Sequence, residues 1–265
     1  MNKPIIALAT PPLNSALALI RISGEGCFEM ADDLFSRPVS GVQSRSMLVG
    51  YLKDGEKTID QVVLLVYPHP ASVTGEDVLE ICCHGSMLIV GEIVQAFLGK
   101  GCRYATRGEF TARAFYNGKM DLIEAEAVND LINATTAESK NLALLSLSGK
   151  TSALIAPLKE RIASLLALLE VNIDYPEYTD IEEANAKTIE EKTKGIRSEL
   201  ASLIKQGEEG KIIREGVKIA LVGSPNAGKS SILNALLDEE KAIVSPLPGT
   251  TRDIVEGSLS LKGVP

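Results

Sequence analysis

The chain has 265 residues, with 27 Lys+Arg against 35 Asp+Glu, a formal charge of −8, and 45% hydrophobic but only 4% aromatic residues. This is the composition of a folded protein long enough for two or three domains, and its acidic balance excludes a chain that coats nucleic acid or an anionic membrane through bulk charge, so any nucleic-acid contact is local. No run approaches the roughly 18 apolar residues that span a bilayer, and the first apolar stretch, Ile5–Ala9, is too short for a signal-peptide core, which predicts a cytoplasmic protein with no membrane partner.

Residues 1 to 118 carry short strand-like runs at Ile5–Ala9, Ala16–Ile22, Ser46–Leu52, Gln61–Tyr67 and Val78–Cys83, separated by Pro, Gly, Ser and Asp. With Gly91–Leu98 as part of a helix, they predict an α+β domain. The four cysteines, at 27, 82, 83 and 102, show no CxxC spacing and are too few for a disulfide framework, so reduced thiols are expected. Cys82, Cys83 and His84 do not make a zinc site, because adjacent strand residues point to opposite faces.

From Asp121 glycine and proline nearly vanish and apolar residues recur at helical spacing. Ile155, Leu158, Ile162, Leu165, Leu166 and Leu169 step by three or four and predict one apolar stripe along a helix of an all-α domain, residues 119–215. Thr135 with Glu138 and Thr179 with Glu182 have the spacing of capping boxes. Pro176 marks the break between the two longest helices, and the charged stretch 182–215 reads as a solvated helix face.

At Gly216 the pattern changes again. Val217–Val222 reads as a buried parallel strand, followed by a glycine-rich turn, a helix over Lys229–Leu237, and a second strand over Ile254–Leu261. The segment Gly223-Ser-Pro-Asn-Ala-Gly-Lys-Ser230 matches G-x-x-x-x-G-K-[ST]. In such a loop backbone N–H groups curl around a diphosphate, here with Lys229 reaching the terminal phosphates and the Ser230 hydroxyl ligating magnesium. The helix dipole adds positive potential at the same place. The loop grips phosphates and ignores the base, so it leaves ATP and GTP open. Ser245-Pro-Leu-Pro-Gly-Thr-Thr251 stands where a switch with a magnesium-ligating threonine would lie, although its prolines and glycine suit any surface turn. The start of an α/β P-loop domain, residues 216–265, is therefore predicted.

Several blocks together resemble the bacterial and mitochondrial tRNA-modification GTPase family called MnmE or TrmE. They are Ala9-Thr-Pro-Pro12, Ile20-Arg-Ile-Ser-Gly24, Thr74-Gly-Glu-Asp77 leading to Cys83-His-Gly85, Gly108–Phe115 with Asn117–Leu122, Glu124-Ala-Glu-Ala127, Gly223–Ser231 and Gly249–Asp253. The resemblance implies that residues 1–118 form a dimerising domain like the folate-dependent aminomethyltransferases, with Arg21, Glu80 and Lys119 as contacts to 5-formyltetrahydrofolate or a related tetrahydrofolate. It implies GTP as the nucleotide, held by Asn226, Ala227, Gly228, Lys229, Ser230 and Ser231 and by Ser245, Pro246, Leu247, Pro248, Gly249, Thr250 and Thr251. Mg2+ falls to Ser230 and Thr251, and K+ to Asn226, Ser245, Leu247 and Thr250, where it does electrostatically what an arginine finger does. It also implies a homodimer, a flavin-dependent partner (MnmG) in a heterotetramer, and tRNA as substrate, modified at the 5-position of wobble uridine. One departure is Leu13-Asn-Ser-Ala-Leu17, which stands where the family has a glycine-rich turn.

Neither the D-x-x-G segment that such a hydrolase uses for magnesium and water nor the N-K-x-D segment that reads guanine occurs in the sequence, and the family's distal cysteine-ended tail is also absent. The expectation is a partial chain without GTP hydrolysis of its own and with no certain catalytic residue. Two other readings share these features: a regulatory P-loop GTPase switch, and a stand-alone folate-dependent one-carbon transfer enzyme.

Overall fold

The computed structural model describes residues 3–177, 182–224, 227–237, 242–243 and 258–259. The chain divides into two compact units, residues 1–125 and 126–265.

In the first unit, β1 (Ile5–Leu8), β2 (Ser15–Ser23), β3 (Ser46–Asp54), β4 (Lys57–Tyr67), β5 (Val78–Gly85) and β6 (Arg103–Tyr104) form one sheet in the order β3-β4-β5-β2-β1-β6. All neighbours are antiparallel except β1 and β6. Aliphatic residues alternate along the strands, and the register aligns them in rows: Ile20 pairs with Ile81 and Ile81 with Leu64, while Ile22 pairs with Leu79 and Leu79 with Val66. All six are fully buried. Helices α1 (Cys27–Asp32) and α2 (Met87–Gly99) close the core over them through Phe28, Ala31, Ile93 and Phe97, as expected where a period-two apolar face meets an amphipathic helix. Alternation sends the intervening residues to the opposite face. There Ala7, Arg21, Glu80, Leu65 and Met47 form one row, and Leu19, Cys82, Val63 and Val49 the next.

Gly91–Leu98 lies within α2, as expected. The sequence reading passed over the short elements α1 and β6 and helix α3 (Glu109–Tyr116). Helix α4 (Leu122–Asn133) opens on a reciprocal cap, in which Asp121 Oδ1 accepts from the Glu124 N–H and Glu124 Oε2 from the Asp121 N–H, each at 2.8 Å.

The second unit is mainly helical, with α5 (Ala137–Leu147), α6 (Lys150–Asp174) and α7 (Ala186–Glu215). Pro176 lies between the two longest helices, as expected. Three expectations are corrected. The cap of α5 is Thr136 with Ser139, one residue beyond the predicted Thr135 and Glu138, because Thr136 is the residue whose extended backbone (φ −124°) aims its hydroxyl at the N3 amide. Helix α7 is capped by Asn185, with Glu182 preceding it, and Thr179 lies outside the described residues. The predicted stripe on α6 is split: Leu158 and Leu165 are buried and Leu169 is half-buried, whereas Ile155, Ile162 and Leu166 are exposed.

Val217–Val222 is not a strand. Residues 216–223 are irregular, and Ile219 and Val222 are 82% and 90% exposed, because no described strand pairs with the segment and an apolar run becomes a buried strand only between partners. Helix α8 (Lys229–Leu237) forms as predicted. Ser258–Leu259 (β8) pairs with Ala242–Ile243 (β7); the remainder of the predicted strand 254–261 lies outside the described residues. No helix among the described residues is long and apolar enough to cross a membrane.

Candidate functional site

The second face of the sheet brings two of the three predicted folate contacts together. Arg21 on β2 stands opposite Glu80 on β5. Its Nε and Nη2 lie 2.7 and 2.6 Å from Glu80 Oε1, the close charge-assisted pairing expected of a guanidinium and a carboxylate. The two side chains are 29% and 14% exposed, so the pair faces an accessible space. Tyr67 stands beside it; burial first, and then the neighbouring Glu80 carboxylate, push its hydroxyl pKa up, which keeps it a neutral donor.

Above Arg21 lies a cavity of about 300 Å³. Its walls are mostly apolar, from Ala7, Leu8, Ala9, Ala105 and Phe110, and the Arg21 guanidinium lies 5.7 Å from the centre of the Phe110 ring. An apolar, partly aromatic wall with a few convergent polar groups is the usual make-up of a small-molecule site, and a cation held over a ring offers a second flat surface for a planar ligand.

Lys119 stands apart from this pair. Its ammonium donates to the Pro70 carbonyl at 3.0 Å, on the loop between β4 and β5. Gly75 makes that approach possible: its φ is +78°, and a Cβ there would lie 3.1 Å from both Asn117 Cβ and Lys119 Cγ. The loop is further tied by Asn117 Nδ2 donating to the Thr74 carbonyl at 2.7 Å.

Beneath these residues lies a buried polar network that the sequence reading did not assign. Arg113, 3% exposed, donates to Glu76 at 2.8 Å, to Glu109 at 3.3 Å and to the carbonyl of Lys3 at 3.0 Å. Ser23 donates to Glu76 at 2.8 Å and shares a 2.7 Å hydrogen bond with Thr74. Glu109 also accepts from Arg103 and Thr106, and its carboxyl is lowered to about 2, first by the hydrogen bond from Arg103 and in spite of burial. A buried guanidinium is tolerable only when paired in this way. The network locks the block Thr74–Asp77 to the block Gly108–Lys119; their distinctive residue runs were the available signal, although spacing alone does not show that one supplies the cation and the other the carboxylate.

The four cysteines are free. Burial pushes Cys83 and Cys102 up to about 11 and raises Cys27 further, so these thiols are poor nucleophiles. Among the described residues, no group of His, Cys, Asp and Glu could hold a metal ion.

In the phosphate loop, Gly228 takes the left-handed conformation, φ +82°. The first described turn of α8 closes with Ile232 N–H donating to the Gly228 carbonyl. Lys229 Nζ donates to the carbonyls of Gly223 and Ser224 at 2.9 and 2.7 Å, so the ammonium lies in the curve of the loop. The backbone at Ala227, Ser230 and Ser231 is described, but Asn226 and the whole set Ser245, Pro246, Leu247, Pro248, Gly249, Thr250 and Thr251 lie outside the described residues.

Two family models match the chain: "GTP-binding protein TrmE N-terminus" over residues 4–119 and "MnmE helical domain" over residues 122–262. A tRNA modification GTPase MnmE of Enterococcus faecalis is 44% identical over 266 residues, and that of Bacillus subtilis 42% identical over 267. The alignments cover 98% of this chain but 57% and 58% of those relatives, so the chain spans little more than half their length.

Proposed function

The chain belongs to the tRNA modification GTPase MnmE family, and from that membership we propose that it serves a cytoplasmic GTPase which, with the flavin-dependent partner MnmG in a heterotetramer, modifies the 5-position of wobble uridine in tRNA using a tetrahydrofolate one-carbon donor. Residues 1–118 act as the folate-binding and dimerisation domain, residues 119–215 as the helical domain, and residues 216–265 as the start of the GTPase domain. The observation that carries the reading is Arg21, which lines an apolar cavity while it is paired with Glu80 beside it. The carboxylate suits the amino and ring N–H groups of a pterin, and the flat Arg21–Phe110 surface suits its ring. Lys119, just after α3, serves the folate only by leaving the Pro70 carbonyl that it holds in this structure. In the GTPase part, Lys229 serves the terminal phosphates, Ser230 and Thr251 hold Mg2+, and Asn226, Ser245, Leu247 and Thr250 hold K+. GTP turnover requires the water-positioning and guanine-reading segments that this sequence does not contain, so the 265-residue chain alone is not expected to hydrolyse GTP.

The exposed side chains Leu17, Met47, Val49 and Tyr51 supply an apolar area on the sheet face that carries Arg21 and Glu80, which supports a symmetric homodimer through that face. The functional test is deletion of the gene with mass spectrometry of total tRNA nucleosides. Loss of the 5-substituent on wobble uridine is expected, restored by the wild-type gene and not by one carrying Glu80→Ala. Unchanged nucleosides would favour a regulatory switch.

A further inference from the structure

Arg107 is the cationic residue of the cavity that the fold leaves unused. It lies in the connection between β6 and α3, lines the same cavity as Arg21, and is exposed. Among the described residues it has no hydrogen-bond or ion-pair partner. Its neighbours are all committed: Arg21 to Glu80, Arg103 to Glu109, and Arg113 to Glu76 and Glu109. No carboxylate is among the described residues lining the cavity. The cavity lining therefore combines a guanidinium already neutralised by Glu80, a mostly apolar wall, and an exposed guanidinium with no partner among the described residues. A ligand complementary to all three carries a neutral hydrogen-bonding ring, a flat apolar middle and an anionic end. At about 300 Å³ the cavity is at the small end for such a ligand, so the anionic end emerges at the rim.

We propose that Arg107 is a specificity-determining residue that binds the glutamate carboxylates of the folate, the tail leaving the cavity past it while the pterin lies at Arg21 and Glu80. This rests on the folate reading above and adds what selects the tailed ligand over a tailless one. A guanidinium can bind a carboxylate through two parallel N–H groups; at an exposed rim the contact has a modest effect and is screened by salt.

The test is calorimetric titration of the 265-residue chain with 5-formyltetrahydrofolate and with 5-formyltetrahydropteroate, which lacks the glutamate. Wild type should bind the folate about three- to tenfold more tightly than the pteroate at low salt, with the difference shrinking as salt is raised. Arg107→Ala should remove that difference by weakening folate binding alone, Arg107→Glu should reverse it, and Arg107→Lys should restore part of it. Equal weakening of both ligands by Arg107→Ala, or no change in either, overturns the role of Arg107 while leaving the folate site standing. Failure of wild type to bind either ligand overturns the folate reading and the role of Arg107 with it.

Discussion

Glu109 illustrates how one residue couples charge to the stability of the first unit. Its carboxylate accepts from Arg103, Arg113 and Thr106, and its pKa falls from 4.5 to about 2. An unfolded glutamate thus binds a proton more tightly than the folded one. The stability contributed is fully present above about pH 4.5 and is lost as the pH falls towards 2. Glu109→Gln should be less stable than wild type by ~1–3 kcal/mol at pH 7, and the gap should close between pH 4.5 and 2 in urea titrations followed by circular dichroism. A gap independent of pH would show that the variant loses packing and not charge pairing. The sequence offered Glu109 only as part of a residue block; its role depends on Arg103, six positions earlier, and on Arg113, which is held in turn by Glu76.

Helix termini show the same contrast at the scale of an element. Thr135 and Thr136 are equivalent as residue types, and the favoured spacing to Glu138 points to the first. The backbone turns into α5 at the second, where Thr136 Oγ1 accepts from the Ser139 N–H at 3.1 Å and Ser139 Oγ accepts from the Thr136 N–H at 3.2 Å. Thr136→Ala should therefore cost ~1 kcal/mol and Thr135→Ala, at an exposed position, less than ~0.5 kcal/mol, read as midpoint shifts in chemical denaturation. Equal effects would return the cap to Thr135. Strands and long helices were legible because their periodicity is local. The short elements α1 and β6 were not, since six and two residues give too little repetition to distinguish them from loops.

For the whole molecule, the sheet face bearing Met47, Val49 and Tyr51 predicts association. Light scattering at micromolar concentration should give twice the chain mass of 28.3 kDa, and Val49→Arg, at a position 47% exposed, should reduce it to the monomer mass while leaving the circular dichroism spectrum unchanged. A monomeric wild type would exclude dimerisation by this chain. Taken alone, the sequence determined the strand-rich first part, the helical part beginning near Asp121, the phosphate-loop spacing at Gly223–Ser230 and the alternation that places Arg21 and Glu80 each on one face of its strand. Tertiary structure decided that those two faces coincide, since the two residues are 59 positions apart and become partners only through the register of β2 on β5. It also decided that Arg113 pairs with Glu76, and that among the described residues Arg107 has no ion-pair partner and Val217–Val222 no strand partner. Periodicity shows which way a side chain faces along its own element, whereas ion pairing, burial and strand formation depend on which distant segments become its neighbours.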